Sequence, residues 1–251
     1  MSDHASIAAT LQGALGLKLP PIAVCLTDTI PEGVLAHRGR VPAGCVFWEL
    51  AARGAIATSA PDHDLCAVGV HTHHLADPSP HHPGELASVL EVMAGMEYVR
   101  EQDVAGIPVL RDPVRHVVYA PLAQTPLAAD VVLLFAHSRQ GLVITEAIQQ
   151  VDPEVPPALG RPACAVVPQA ANSGRAALSL GCCGARAYLD VFTDETALWA
   201  LPGAKIALYA ARIAKLAGAN EALGRFHALR RVDVEAGNTP TYAESLARMK
   251  D

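Results

Sequence analysis

Apolar positions along the chain follow the two periods expected of helices and buried strands. Ile7, Leu11 and Leu15 recur at near-helical spacing and predict a short helix that ends before Pro20. Continuous apolar runs bounded by glycine, proline or polar turns predict buried strands. The predicted strands are 22–26, 55–59, 117–119, 131–135 and 176–180. The further predicted helices are 46–53, 84–96, 141–150 and 204–216.

Strands and helices that alternate in this way predict an α/β domain with a mixed sheet. Part of the order occurs twice. Cys45 begins a helix, an Ala-Ala pair and a glycine follow, and a short strand leads to Cys66. Cys164 is followed by the same features and by Cys183. Self-similarity over this length indicates related halves, although a common strand–helix order can also imitate a repeat.

Length limits the domain organisation. At roughly 150 residues per domain, 251 residues fit one domain better than several. We expect a single domain at 1–234 with pseudo-symmetric halves at 20–110 and 117–218, and the polar residues 235–251 as a peripheral tail. The apolar fraction of 51% is enough to build a core, so the chain is not intrinsically disordered.

Charge and hydropathy exclude several partners. The net charge of −6 offers no basic surface for nucleic acid. No apolar run approaches the roughly 20 residues that span a bilayer, and the N-terminus lacks the pattern of a signal peptide. We therefore expect a cytoplasmic protein without nucleic-acid or membrane partners. A small-molecule ligand, a redox partner and a second copy of the chain are the partners left open.

Six cysteines are the most informative residues of the sequence. Thiols stay reduced in the cytoplasm, so metal ligation, catalysis and simple burial are the competing roles. Cys25 lies in mid-strand and is expected in the core. No C-x-x-C pair occurs, which argues against a zinc ribbon or a ferredoxin motif.

Four other cysteines predict a metal centre where the two halves meet. Cys45 and Cys66 come from one half, Cys164 and Cys183 come from the other, and thiolates are preferred ligands of iron–sulfur clusters. We expect these four to hold a [4Fe–4S] cluster, with zinc as the alternative metal. If Cys164 is instead buried in the core, one iron stays open and could bind a substrate heteroatom.

The segment Gly181-Cys182-Cys183-Gly184 contains two adjacent cysteines. Neighbouring side chains of an extended chain point in opposite directions, so only one should face the site, and Cys183 is the predicted ligand. Gly184 would let the backbone approach the bound group closely. Arg186 would orient a small anionic substrate or offset the charge of the cluster, and a surface arginine is the competing interpretation.

Residues 71–83 contain five histidines and three prolines. The prolines predict a solvated loop, and metal ligation by these histidines is the alternative. A thiol nucleophile, Cys66 or Cys183, with His63 or His71 as its base is a further hypothesis. No GxGxxG, Walker A or GxSxG motif occurs, so dinucleotide binding, P-loop chemistry and serine hydrolysis have no support.

Taken together, these motifs resemble the domain-of-unknown-function family number 169. The segments that carry the resemblance are PIAV at 21–24, GC at 44–45, LCAVG at 65–69, YAPL at 119–122, DVVL at 130–133, Cys164 ahead of a helix, and LGCCGAR at 180–186. The family pattern has cysteines at the positions of Cys45, Cys66, Cys164 and Cys183, and a Gly-x-Arg that matches Gly184 and Arg186. Cys182 departs from that pattern. The resemblance implies a cysteine-built metal site in an archaeal or bacterial protein and implies no particular reaction.

The leading expectation is therefore an iron–sulfur protein with a cleft for a small anionic substrate. Whether it is an enzyme stays open. One alternative is a non-enzymatic module that binds a small molecule or a metal, and the other is an enzyme with a cysteine nucleophile.

Overall fold

The computed structural model describes residues 3–153, 158–159 and 162–248, in which one eight-stranded mixed sheet carries helices on both faces. The strands are β1 (Ile22–Thr27), β2 (Leu35–Ala36), β3 (Ile56–Thr58), β4 (His116–Pro121), β5 (Val131–His137), β6 (Ala158–Leu159), β7 (Ala177–Ser179) and β8 (Thr196–Pro202). The helices are α1 (His4–Leu15), α2 (Val46–Leu50), α3 (Ala67–Thr72), α4 (His82–Gly95), α5 (Glu101–Val104), α6 (Ser138–Val151), α7 (Val166–Ser173), α8 (Cys183–Tyr188), α9 (Ile206–Glu235) and α10 (Tyr242–Ala247). The expected single α/β domain is confirmed.

The strand order β2-β3-β4-β1-β5-β8-β7-β6 consists of two matching halves that meet between β1 and β5. In each half the outermost pair of strands is parallel, and the other neighbours are antiparallel. β1 and β5 pair antiparallel, with Ala23 opposite Val132 at the middle of their contact. One half runs from β1 to β4 and the other from β5 to β8. The predicted halves at 20–110 and 117–218 assign most of β4 to the second half. Because β4 pairs with β1 and β3, it belongs to the first half instead.

Alternate side chains of the central strands pack on opposite faces of the sheet. On one face, α2 and α7 cover residues such as Ile22 and Leu133. On the other face, α1, α6 and α9 cover Ala23 and Val132. Burial on both faces explains why β5 is a continuous apolar run. Cys25 lies on the second face with 1% exposure, so it is a core residue as expected, and burial raises its pKa to about 11.

Some elements differ from the prediction. The sequence pattern predicts no strand at β8 and no helix at α3 or α8. It also predicts that the last long helix ends near residue 216, whereas α9 continues to Glu235. The six-residue helices are too short to show a helical period. The predicted tail contains α10, whose Tyr242 stacks on Phe226 of α9, and its last residues, 249–251, lie outside the described residues. No helix of the described chain combines the length and apolarity that crossing a bilayer requires.

α4 and α5 form an inserted segment that packs with neither layer. The segment belongs to residues 73–115, which connect α3 to β4, whereas residues 189–195 alone connect α8 to β8 in the other half. His82 is the only buried residue of α4. The inserted segment covers the cavity described below and is one asymmetric part of the two halves; α6, which follows β5 and has no counterpart after β1, is another.

Asp152 joins the end of α6 to the start of α9. Its Oδ1 accepts a hydrogen bond from Lys205 Nζ at 2.6 Å, and its Oδ2 accepts one from Tyr209 Oη at 2.5 Å. Burial alone would raise the pKa of Asp152, but the hydrogen bonds from Lys205 and Tyr209 outweigh it and hold the pKa below the usual value. The ionised carboxylate therefore stabilises the fold, and this contribution is lost as the pH falls through the lowered pKa.

We expect Asp152→Asn to lower the free energy of unfolding by about 1–2 kcal/mol at neutral pH. The difference from the parent protein should shrink progressively below about pH 4, where the unfolded carboxyl takes up its proton. Urea unfolding across this pH range measures it. Glu221→Gln, which removes an exposed ion pair with Arg225, is the control and should cost less than about 0.5 kcal/mol. A loss that is the same at every pH would contradict the role of the charge.

Candidate cysteine site

A cavity of about 810 Å³ lies between the starts of α2, α3, α7 and α8 on one side and the inserted helix α4 on the other. We call it the cysteine cavity, because every cysteine except Cys25 lines it. A cavity of this size accommodates a small organic ligand. Cysteines of both halves therefore line one cavity, which is the arrangement that the sequence predicts for them.

Four of the lining cysteines stand at the starts of helices, two from each half. Cys45 directly precedes α2, and Cys66 precedes α3. Cys164 lies in the 3-10 turn that leads into α7, and Cys182 precedes α8. Backbone N–H groups at helix starts lack partners within the helix, so hydrogen-bond donors are available next to these sulfurs. We call Cys45, Cys66, Cys164 and Cys182 the cysteine quartet.

The members of the quartet interact electrostatically. The charge of Cys182 raises the pKa of each of the other three, and Cys45 and Cys66 also act on Cys164. Burial, followed by repulsion from Cys66 and Cys182, raises the pKa of Cys45 to about 12. Burial is also the main cause of the raised pKa of Cys66 and of Cys164. These three thiols therefore stay protonated at neutral pH unless a cation offsets the charge of the thiolates.

The spacing of the sulfurs bears on the kind of metal. Over the described residues, no three of the quartet's sulfur atoms lie mutually within 4.8 Å. A single zinc ion with Zn–S bonds of about 2.3 Å would bring its sulfurs roughly 3.8 Å apart in a tetrahedron. A cluster of several iron atoms holds its cysteine sulfurs farther apart than one ion does. As placed, the four sulfurs therefore do not form a tetrahedral site for a single zinc ion.

Cys183, the predicted fourth ligand, differs from its neighbour Cys182. Cys183 is exposed, and its charge is not among those that shift the pKa of Cys45, Cys66 or Cys164. Cys182 is partly buried against the core, and its Sγ accepts a hydrogen bond from the backbone N–H of Ala185 at 3.5 Å. The two neighbours thus differ in burial, and the contacts favour Cys182 over the predicted Cys183 as the residue directed toward the other cysteines. Cys66 and Cys182 occupy equivalent positions, each directly before a helix. This equivalence is the signal that would have identified Cys182, not Cys183, as the ligand.

Arg186 is held by the protein itself. Its guanidinium lies 5.0 Å from the centre of the Phe192 ring and donates hydrogen bonds to the backbone carbonyls of Leu180, Thr193 and Thr196. Arg186 is not among the described residues that line the cysteine cavity. These contacts fix the loop between α8 and β8 and do not support the predicted role of Arg186 in orienting an anionic substrate.

Gly184 lines the cysteine cavity, but a glycine is not required at this position for close packing. A Cβ atom there would lie 3.6 Å from Tyr188, which is an ordinary contact. Gly181 is the restricted glycine of the segment, since its φ is +92° and a Cβ would lie 3.0 Å from Phe192. The close approach predicted for Gly184 is therefore found at Gly181, and it serves the packing of the loop.

Hydrogen-bond donors surround the sulfurs of the quartet. Backbone N–H groups of Gly44 and Gly69 donate to Cys66, which partly offsets the rise of its pKa. Thr72 Oγ1 donates to the sulfur of Cys164 at 3.4 Å. Such bonds stabilise sulfur that carries negative charge, as it does when it binds a metal.

Tyr119 adds a donor that has no acceptor. The residue is fully buried in β4, and its hydroxyl has no hydrogen-bond partner within the described chain. Burial, together with the charges of Cys164, Cys66 and Cys45, raises its pKa, so the hydroxyl lies near the quartet. A buried hydroxyl without a partner is costly, and charged sulfur would supply the missing acceptor. In the sequence, Tyr119 stands only in a predicted strand and in the YAPL segment of the family resemblance, and neither indicates a role at the site.

Two buried histidines accompany the quartet. His63 is 1% exposed, and its Nε2 lies 3.3 Å from Thr58 Oγ1. His73 is 2% exposed, and its Nδ1 lies 3.1 Å from the carbonyl of Gly69. Burial lowers the pKa of His63 to about 3 and that of His73 to about 4, so both rings are neutral at pH 7. The prediction of a solvated loop is therefore wrong for His73, and it is also wrong for His82, which is 3% exposed.

Asp64, His81 and His82 form a second cluster at the rim, with ligand atoms mutually within 4.8 Å. His82 Nδ1 accepts a hydrogen bond from the backbone N–H of Ser79 at 3.1 Å, so its proton resides on Nε2. That nitrogen faces Asp64 Oδ1 at 3.7 Å. A protonated ring nitrogen cannot bind a metal, so His82 is not a ligand in this arrangement, and among the described residues its Nε2 has no hydrogen-bond partner; only His81 Nε2 lies close to Asp64 Oδ1, at 3.2 Å.

The fold and the site define a pseudo-symmetric α/β protein with a cysteine quartet shared by its halves. A family model described as "Uncharacterised ArCR", domain-of-unknown-function family 169 (DUF169), matches residues 10–212. The chain belongs to this family, as the sequence motifs indicated. No curated protein and no solved structure matched the chain.

The loop before Cys45 depends on a missing side chain at Gly44, where a Cβ would overlap the His63 ring. We expect Gly44→Ala to lower the free energy of unfolding by about 1–3 kcal/mol, because the buried ring has no room to move. Thermal unfolding measures the change. Gly13→Ala in α1 is the control, since nothing lies within 4 Å of the added carbon, and it should leave stability unchanged or raise it by up to about 1 kcal/mol. Equal melting points for the two variants would contradict the packing at Gly44.

Proposed function

We propose that this chain is an electron-transfer protein that holds a [4Fe–4S] cluster through Cys45, Cys66, Cys164 and Cys182. The observation that carries the proposal is the cysteine quartet, in which four separate segments bring mutually interacting sulfurs to one cavity. Cysteines that merely fill a core need no such convergence.

The surroundings of the quartet fit charged sulfur better than neutral thiols. Thiols crowded together repel one another once ionised, and bound iron supplies the positive charge that lets them lose their protons. The N–H groups of Gly44 and Gly69 and the hydroxyls of Thr72 and Tyr119 are donors that such sulfurs accept from. Donors of this kind also tune the reduction potential of a cluster.

Four cysteine ligands leave no iron open, and this decides the role proposed for the cluster. An open iron was expected if Cys164 was buried in the core; Cys164 is partly buried against the core but also lines the cysteine cavity, and the charges of Cys66, Cys182 and Cys45 act on it, so we take it as the fourth ligand. One-electron transfer therefore suits the site better than Lewis-acid chemistry. A redox partner in a reducing cytoplasm would supply the electrons.

The alternative of a thiol enzyme has less support. A nucleophilic cysteine needs a lowered pKa and a base that can become protonated. Burial raises the pKa of Cys66 and lowers that of His63, which is the reverse of what a thiolate–imidazolium pair requires. We therefore place the cluster first.

Anaerobic purification with iron and sulfide analysis tests the cluster, and the expected result is about four of each per chain. Cys182→Ser should lose the cluster absorbance and the iron. Cys183→Ser, at the exposed neighbouring position, is the matched control and should retain both. Stoichiometric zinc without sulfide, or no metal at all, would refute the proposal. Loss of iron in Cys183→Ser alone would restore Cys183 as the fourth ligand.

Tyr119→Phe tests whether the buried hydroxyl donates to the cluster. A donor near the sulfurs stabilises the reduced, more negative cluster, so its removal should lower the reduction potential. A hydrogen bond of about 1 kcal/mol corresponds to roughly 40 mV for one electron. A redox titration followed by electron paramagnetic resonance measures the shift. An unchanged potential with full iron content would show that Tyr119 does not interact with the cluster.

A further inference from the structure

The inserted helix α4 carries an apolar stripe that the protein core does not use. Leu86, Val89, Leu90 and Met93 recur at i, i+3, i+4 and i+7 and all line the cysteine cavity. None of them belongs to either hydrophobic core of the described residues. An apolar stripe that faces a cavity is stabilised when an apolar ligand fills the space.

The charges around the cysteine cavity disfavour an anion. Its described lining includes the carboxylates of Asp64, Glu85 and Asp103 and contains no lysine or arginine. Asp103 pairs with Arg100 outside the lining, so the other two remain the main charges at the rim. An anion would therefore enter an apolar cavity without a countercharge, which is costly.

His73 contributes a buried polar side chain to the lining of this cavity. Its Nδ1 faces the carbonyl of Gly69, which can only accept, so the ring proton resides on Nδ1 and Nε2 carries a lone pair. Nε2 is buried and has no hydrogen-bond partner among the residues that the structure describes. His73 lines the cavity and is 2% exposed. A buried acceptor without a donor indicates that a ligand supplies the donor.

We propose that the cysteine cavity binds a neutral, mainly apolar molecule of about the size of a bicyclic aromatic compound, with one O–H or N–H group that donates to His73 Nε2. The apolar stripe of α4 covers its ring system, and the polar group is directed toward the cysteine site. Electron transfer to this molecule rests on the proposed function, whereas its binding does not. This replaces the small anionic substrate expected from Arg186.

Three probes with the same ring system test the proposal by isothermal titration calorimetry of the full chain: 2-naphthol, naphthalene and 2-naphthoate. 2-Naphthol should bind most tightly. Naphthalene, which lacks the donor, should bind about tenfold more weakly, and 2-naphthoate about 100-fold more weakly or not at all. His73→Phe should remove the preference for 2-naphthol over naphthalene. Equal affinity of the parent protein for these two probes, or tight binding of 2-naphthoate, would overturn the proposal.

A pair of variants on α4 locates the ligand. Leu90→Asp places a charge in the stripe and should weaken 2-naphthol binding at least about tenfold. Val92→Asp lies on the same helix, but Val92 is 61% exposed and does not line the cavity, so it should leave binding unchanged. Circular dichroism and melting points of both variants check the fold. Equal effects of the two variants on binding would overturn the assignment of the stripe.

Iron content separates this proposal from the proposed function. Iron-free protein that binds 2-naphthol with the expected selectivity would refute the cluster and support the ligand cavity. Iron-loaded protein that binds none of the three probes would refute the ligand cavity and leave the cluster in place.

Discussion

The antiparallel pairing of β1 with β5 is the contact on which the cysteine site depends. It joins the two halves through only three residue pairs, centred on Ala23 and Val132. Asp130 reinforces it, because its carboxylate accepts a hydrogen bond from the backbone N–H of Leu26 at 2.7 Å. This pairing puts the helix starts of both halves on the same face of the sheet. The quartet is therefore a product of the symmetry, since neither half alone carries more than two of its sulfurs.

The same symmetry creates an electrostatic problem at the site. Four ionisable sulfurs gather beside a core in which desolvation disfavours charge, and each thiolate repels the others. Small residues make room for this packing, as at Gly69, where an added Cβ would lie 3.0 Å from Cys66 Sγ, and backbone and hydroxyl donors surround the sulfurs. The site is thus prepared for negative charge but lacks a built-in cation. The proposed iron–sulfur cluster would supply that cation.

The sequence predicts those parts of the fold that have long local patterns. The continuous apolar run of β5 and the helical spacing of α4 are recognisable in the sequence because their apolar residues recur regularly over many positions. α3 and α8 are too short for any period, and β8 is recognisable only once β5 and β7 are placed beside it. The choice between Cys182 and Cys183 depends on the backbone angles of one residue before a helix, φ −122° and ψ 169° at Cys182. Composition and spacing carry no information about such an angle, and the same is true of the tautomer of His73.

The inserted segment interrupts only one of the two halves. The floor of the cysteine cavity is built twice over from matching elements, but its cover comes from residues 73–115 alone. Changes in this cover do not touch the β1–β5 junction or the helix starts that present the sulfurs. Relatives of this chain can therefore differ in the ligand that they bind while they keep the same cysteine floor. Sequence differences within the cover would show where they have diverged.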